Sequence, residues 1–248
     1  MMFRLIKVQE FDAFTNMALD EAICEAVRDE ESVSTIRFYT WKPSAISIGY
    51  FQGLKNEVNL EECKQQHVDV VRRRTGGGAV YHDTQGEITY SIIGPVDMFP
   101  KDIIKSYEVI CQSIIDALKE LGINATFSPI NDIIVNQKKI SGNAQTRRDG
   151  ILLQHGTILY DLNVEKMFSL LKVGKEKIAD KLIKSVKKRV TRILDYGDFS
   201  KEKIIEELEK AFSKDRNIFV SNYTQKELLR AKELAQIKYS SEEWNNMR

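Results

Sequence analysis

Cysteine is scarce in this chain. Cys24, Cys63 and Cys111 are odd in number and far apart, with no Cys-x-x-Cys pair. That excludes a disulfide framework and a zinc-ribbon arrangement, and it argues for a reducing compartment. Histidine is equally scarce, with His67, His82 and His155 only, and no nucleophile is visibly paired with a base. A Ser-His or Cys-His hydrolase is therefore not suggested. An excess of one charge is missing too: 37 Lys+Arg against 36 Asp+Glu leave a net charge of +1, which implies no pull toward nucleic acid or a membrane surface. No apolar run approaches the roughly 20 residues that span a bilayer. Charges at Arg4, Lys7, Glu10 and Asp12 interrupt the N-terminus, so it does not read as a signal peptide. A cytoplasmic chain is expected. Repeats, low-complexity tracts and Pro/Gly/Ser linkers are absent, so residues 1–248 read as a single unit.

The rest resembles an ordinary globular sequence, with 42% hydrophobic and 29% charged residues. Phe3 to Val8 reads as a strand, followed by a helix capped by Thr15 or Asn16. Thr35 to Trp41 and Ala45 to Tyr50, joined by Lys42-Pro43-Ser44, are expected to form an antiparallel pair. Asn59 to Gln66 reads as a short helix, and Asp69 to Arg73 and Glu87 to Ile93 as strands. Pro100 opens a long amphipathic helix that Gly122 stops. Cys111 lies on its apolar stripe, which makes it a packed thiol. Asn136-Gln137 and Asp149-Gly150 mark two hairpins, and Ile151 to Tyr160 continues the sheet. From about residue 162 the chain turns helical, over Val164–Lys172, Glu176–Ser185, Ser200–Ser213 and Thr224–Lys238. Short turns between strands predict an α+β layout with a mixed, largely antiparallel sheet flanked by helices.

Two stretches can carry chemistry. In Arg72-Arg73-Arg74-Thr75-Gly76-Gly77-Gly78-Ala79-Val80-Tyr81-His82-Asp83, three glycines bare the backbone N–H groups while the arginines offer bidentate donors. This is an anion cradle or a mobile loop with solvated cations. It is neither a P-loop nor a Rossmann turn, because no Lys-Ser/Thr follows and the next residues look like a strand. The second stretch runs from Asn131-Asp132 to Lys138-Lys139-Ile140-Ser141-Gly142-Asn143-Ala144-Gln145. Strand alternation separates Lys139 from Lys138, and the small residues after Lys139 leave it room to point inward.

These stretches, with Gln154-His155-Gly156-Thr157 following in order, resemble the lipoate–protein ligase A family. The helix Asn16 to Ala22, Arg37-Phe38-Tyr39, Gly49-Tyr50-Phe51-Gln52 and the terminal Lys238 to Asn245 extend the likeness over most of the chain. The resemblance implies a fold related to biotin ligases and class II aminoacyl-tRNA synthetases. It also implies a two-step reaction. Lipoate and ATP give lipoyl-AMP, and the lipoyl group then passes to a lysine of a carrier domain, in 2-oxoacid dehydrogenase E2 subunits or glycine-cleavage H protein. Carried over to this sequence, Lys139 is the catalytic lysine. Arg72, Arg73, Gly76, Gly77, Gly78, Ala79, Val80, Asn131 and Lys139 bind ATP or lipoyl-AMP. His82 and His155 border the lipoate pocket, and Asp132 helps to hold Mg²⁺. Many relatives have a further accessory domain, in some cases a separate polypeptide, so a small partner is a candidate.

The same fold implies an alternative, an octanoyl or lipoyl transferase that works through a cysteine thioester. Its cysteine would stand in the loop where this chain has Phe127-Ser128-Pro129-Ile130. That absence and the unbroken Gly-Gly-Gly favour the ATP-dependent ligase, although the Glu-Trp-Asn ending also looks like the transferase branch. A non-catalytic lipoate- or nucleotide-binding module is the remaining possibility.

Overall fold

A computed structural model describes residues 2–172 and 188–248. Its main sheet has eight strands in the order β11-β1-β2-β6-β10-β9-β8-β7. They are β1 (Met2–Phe11), β2 (Ser34–Trp41), β6 (Glu87–Pro95), β7 (Thr126–Ser128), β8 (Asp132–Val135), β9 (Lys138–Arg148), β10 (Ile151–Leu159) and β11 (Asn217–Val220). β1 runs parallel to both β2 and β11, and the remaining neighbours are antiparallel. The mixed, largely antiparallel sheet is therefore as expected. A second sheet of three strands, β4 (Asp69–Arg72), β3 (Ala45–Ile48) and β5 (Val80–His82), lies apart from it. The expected pairing of residues 35–41 with 45–50 does not occur: β2 pairs with β1 and β6, and β3 with β4 and β5. The buried stretch Ser34–Trp41 needs neighbours on both edges, which a single hairpin would not supply.

Side chains alternate across the main sheet and divide its packing into two layers. On one face Ile36, Phe38, Tyr90, Ile92, Leu152 and Ile158 meet α4 (Ile103–Glu120) and α6 (Lys201–Ser213) through Ile110, Ile114, Leu208 and Phe212. Burying each such aliphatic side chain is worth about 1.5–3 kcal/mol. On the other face Tyr39, Trp41 and Leu153 meet α1 (Ala13–Arg28) through Leu19 and Ile23, with α7 (Gln225–Leu234) packed behind it. The cap of α1 is Asp12, whose carboxylate accepts from Thr15 N at 2.7 Å, and not Thr15 or Asn16. α4 starts at Ile103, capped by Asp102, not at Pro100.

The two turn signals behave as read. Asn136 and Gln137, at φ 48° and 64°, and Asp149 and Gly150, at 52° and 76°, take the left-handed conformations of tight hairpins. The remaining helices α2 (Leu54–Glu57), α3 (Leu60–Gln65), α5 (Val164–Leu170) and α8 (Glu242–Asn245) surround the small sheet and the C-terminal end. The helix expected over Glu176–Ser185 lies outside the described residues. No helix among the described residues is long and apolar enough to cross a membrane.

Candidate active site

The α1 face of β10 changes character along its length. Ile151 and Leu153 pack under α1, whereas His155, Thr157 and Leu159 look into a cavity of about 280 Å³. The opposite wall comes from the small sheet and the loop leaving it: Ser47, Arg73, Gly77, Gly78, Ala79 and Val80 to His82. Met17, Tyr39, Trp41, Leu159, Leu162 and Met167 make much of the surface apolar, and Asn131, Lys139, Asn143 and Val190 close the far side. An apolar cleft with a few convergent polar groups is the usual form of a small-molecule site.

The structure thus gathers Lys139, Asn131, Arg73, Gly77, Gly78, Ala79, Val80, His82 and His155, all named from the sequence, around one space. Arg72, Gly76 and Asp132 are outside its walls. Arg72 is fully buried and turned toward the C-terminal segment. Its Nε donates to the Trp244 carbonyl, Nη2 to that of Asn245, and Nη1 lies within 3.0 Å of the carbonyls of Gly49, Tyr50 and Gln52. Its assignment to a phosphate is therefore corrected: this cation ties three segments of backbone together. Arg73 borders the cavity, but it too is spent on the protein. Nε donates to Thr75 Oγ1, Nη1 to the oxygens of Ser47, and Nη2 to the carbonyls of Gly76 and Gly78, at 2.7 and 2.8 Å. Five N–H groups meet five oxygens, so none is left for a phosphate. Burial pushes Arg73 down to about 10, which still leaves it charged at neutral pH. It holds the glycine loop. Gly77, at φ +96°, adopts a conformation that side-chain-bearing residues avoid.

Lys139 enters from β9 and is, among the described residues lining the cavity, the cation not spent on backbone carbonyls. Its Nζ pairs with Asp132 Oδ1 at 2.7 Å, both side chains remaining partly exposed. Gly142 makes room for it, since a Cβ there would stand 2.5 Å from Nζ. Asp132 Oδ1 is engaged by Lys139, and no group of three His, Cys, Asp or Glu side chains that could hold a metal by themselves occurs among the described residues. Asn131 and Asn143 lock the turn next to Lys139, each donating from its amide to the other's carbonyl.

Both histidines belong to buried relays that the sequence did not reveal. His155 Nε2 lies 2.7 Å from Thr75 Oγ1 and Nδ1 lies 3.1 Å from Asp20 Oδ2. Burial lowers the His155 pKa against the opposing pull of Asp20, with Arg73 and His82 adding to the lowering. Burial alone would raise Asp20. Arg37, 2.9 Å away, and the hydrogen bond from His155 outweigh it and hold the carboxyl below its usual range. His82 Nε2 lies 2.8 Å from Ser47 Oγ and Nδ1 lies 2.7 Å from Glu87 Oε1. Ser47 and Glu87 carry no local motif, and nothing in the stretches around Asp20 and Thr75 points to a histidine partner. Ser47, Thr75 and Asp20 reach their histidines from 35, 80 and 135 positions away, whereas Glu87 stands five residues from His82.

The three cysteines are all buried and stand outside the cavity walls. Burial raises Cys24, and pushes Cys63 up to about 11 and Cys111 to about 12. None is poised as a thiolate.

Comparison with known proteins places this geometry. The profile of the lipoyl protein ligase A/B catalytic domain matches residues 12–213. Octanoyltransferase LipM of Geobacillus kaustophilus is 38% identical, the match covering 93% of this chain and 92% of that one. Among solved structures, a bi-partite lipoate protein ligase from Thermoplasma acidophilum superposes with a TM-score of 0.88 at 32% identity, covering 99% of this chain and 96% of the other. A lipoate-protein ligase A bound with ATP gives a TM-score of 0.86 at 30% identity, covering 99% and 98%. The expectation of an ATP-dependent ligase is overturned by the sequence relatives: further ones, at 31–35% identity, are also octanoyltransferases. The missing loop cysteine favoured a ligase only on the assumption that acyl transfer on this fold requires a thiol at that position. The profile match over residues 12–213 and the 38% identity over nearly the whole of both chains show that the chain belongs to the lipoyl protein ligase A/B catalytic domain family.

Proposed function

We propose that this chain is an acyltransferase that moves an octanoyl group from a carrier-protein thioester to a lysine of a lipoyl carrier domain, such as an E2 subunit or glycine-cleavage H protein. The observation that carries the reading is its 38% identity, over nearly the whole of both chains, to an octanoyltransferase. Three physical features support it. Burying a seven-carbon tail against Met17, Trp41 and Leu159 is worth roughly 5 kcal/mol at about 0.8 kcal/mol per methylene. The thioester arrives already activated, so the engagement of Arg72 and Arg73 by the protein costs the reaction nothing. Lys139, the cation at the polar end of the cavity, meets the negative charge that develops on the carbonyl oxygen as the amine attacks. Its pairing with Asp132 positions it without burying it.

On this reading no nucleotide, Mg²⁺ or adenylating accessory polypeptide takes part. Residues 1–248 act as one cytoplasmic catalytic unit, and the portion from about 162 supplies Leu162, Met167 and Val190 to the cavity. The test is mass spectrometry of a lipoyl carrier domain incubated with the purified chain and octanoyl-acyl carrier protein. One octanoyl group on one lysine is the expected result. An unmodified carrier would overturn the proposal.

A further inference from the structure

The octanoyltransferase reading leaves open which atom of this chain, if any, takes the acyl group, because no thiol reaches the cavity. The second relay answers that question, and the inference rests on the proposed acyl transfer. Ser47, on β3, and His82, on β5, are diagonal neighbours in the small sheet, where Ala45 pairs with His82 and Ser47 with Val80. Both border the cavity and both are at least 96% buried. Glu87, at the start of β6, approaches His82 from the main sheet. The relay is thus assembled from two sheets, with Ser47 and His82 both in the cavity wall.

The neighbours decide the direction of its protons. Trp41 Nε1 can only donate, and it donates to Thr89 Oγ1 at 2.7 Å. Thr89 passes its own proton to Glu87 Oε1 at 2.6 Å. Glu87 is therefore the acceptor at the end of this line, and His82 Nδ1 meets it as N–H. In a neutral ring that makes Nε2 a lone-pair site facing Ser47 Oγ. From the other side Arg73 Nη1, again only a donor, gives to Ser47 Oγ at 3.2 Å. Ser47 accepts from a cation and donates to an imidazole that a carboxylate orients. Trp41 stacks on His82 with centroids 3.9 Å apart, which fixes the ring plane. A hydroxyl, base and orienting acid in series is the arrangement that activates a serine.

The relay at His155 is the contrast. It has the same sequence of groups, but Thr75 is fully buried outside the cavity walls and Asp20 is shared with Arg37 and Ser91. Its hydroxyl has no access to an acyl group, and it positions the glycine loop.

We propose that Ser47 is the acyl-accepting nucleophile, with His82 as its base and Glu87 as the positioning residue for His82. Ser47 Oγ attacks the thioester carbonyl as its proton passes to His82 Nε2. The C–O bond forms, the C–S bond breaks, and the departing sulfur takes that proton. The carrier amine then attacks the seryl ester, losing a proton to His82. The C–O bond breaks as His82 returns the proton to Ser47. Thioester and amine have become thiol and amide, with no other reactant.

The experiment is to mix the full chain with octanoyl-acyl carrier protein, without acceptor, quench in acid and map the adduct by peptide mass spectrometry. A single octanoyl group on the Ser47 peptide, released by hydroxylamine, is expected. S47A should lose the adduct and about 100-fold or more of carrier octanoylation, and S47C should regain both as a thioester. A wild-type chain that octanoylates the carrier but shows no Ser47 adduct, or an adduct on Lys139 or a cysteine, overturns the inference alone. An S47A variant transferring at the wild-type rate does the same. A wild-type chain that never octanoylates the carrier overturns the proposed function, and this inference with it.

Discussion

Lys139 Nζ stands 2.7 Å from Asp132 Oδ1 across the hairpin of β8 and β9. Gly142, on the same hairpin, has no side chain to displace the ammonium group. The pair is partly exposed, so it adds only about 0.2–1 kcal/mol to stability. Its worth is positional. Replacing Lys139 by Met should cost about 100-fold or more in carrier octanoylation, the usual loss for one oxyanion-stabilising donor. The melting temperature should fall by no more than roughly 4 °C. Steady-state rates and a thermal melt on the same preparation check both. A variant that keeps its rate removes Lys139 from the chemistry.

Arg72 makes the opposite prediction. Its donors satisfy carbonyls of residues 49, 50, 52, 244 and 245, and deleting it leaves those oxygens buried and unpaired. Arg72→Met should lower stability by about 3 kcal/mol or more, a drop of roughly 6–12 °C in melting temperature. A phosphate-binding arginine would behave differently, losing activity while the melt stayed put.

A chain without cysteine should still work. In Cys24→Ala/Cys63→Ala/Cys111→Ala the thiols removed are all buried, and none borders the cavity. The expected outcome is reduced stability with most of the transfer rate retained. Loss of transfer in a folded triple variant would show that one of these thiols carries the acyl group.

Acid should weaken the fold through His155. Burial lowers its pKa in the folded state, so below about 6.5, where an ordinary histidine takes up a proton, the unfolded chain binds more protons than the folded one. Stability supplied by neutral His155 is complete above that pH and drains away as the pH falls toward the lowered value. The slope for one proton is at most about 1.4 kcal/mol per pH unit. Urea unfolding of wild type and His155→Gln between pH 7.5 and 5 should show the steeper decline in wild type. Equal slopes would contradict it.

How far the sequence speaks depends on whether a feature is local. Asn136-Gln137 and Asp149-Gly150 specify their turns through their own backbone preferences, and both hairpins form. The apolar period of residues 103–120 and the position of Lys139 among small residues are local in the same sense. The partners of Arg72 are up to 173 positions away, so nothing near the arginine says whether it faces a ligand or the chain's own carbonyls. The edge strand Asn217–Val220 is short and polar at its start, and only its register with Met2–Leu5 makes it a strand. Ser47 and Glu87 look like ordinary strand residues until β3 and β6 are brought against His82.

The central claim is that the acyl group reaches this chain already activated. The most direct measurement compares initial rates of carrier-lysine octanoylation from two donors: octanoyl-acyl carrier protein without nucleotide, and free octanoate with ATP and Mg²⁺. The account predicts steady turnover from the thioester and none from the free acid. Turnover from free octanoate that requires ATP, with no transfer from the thioester, would contradict it.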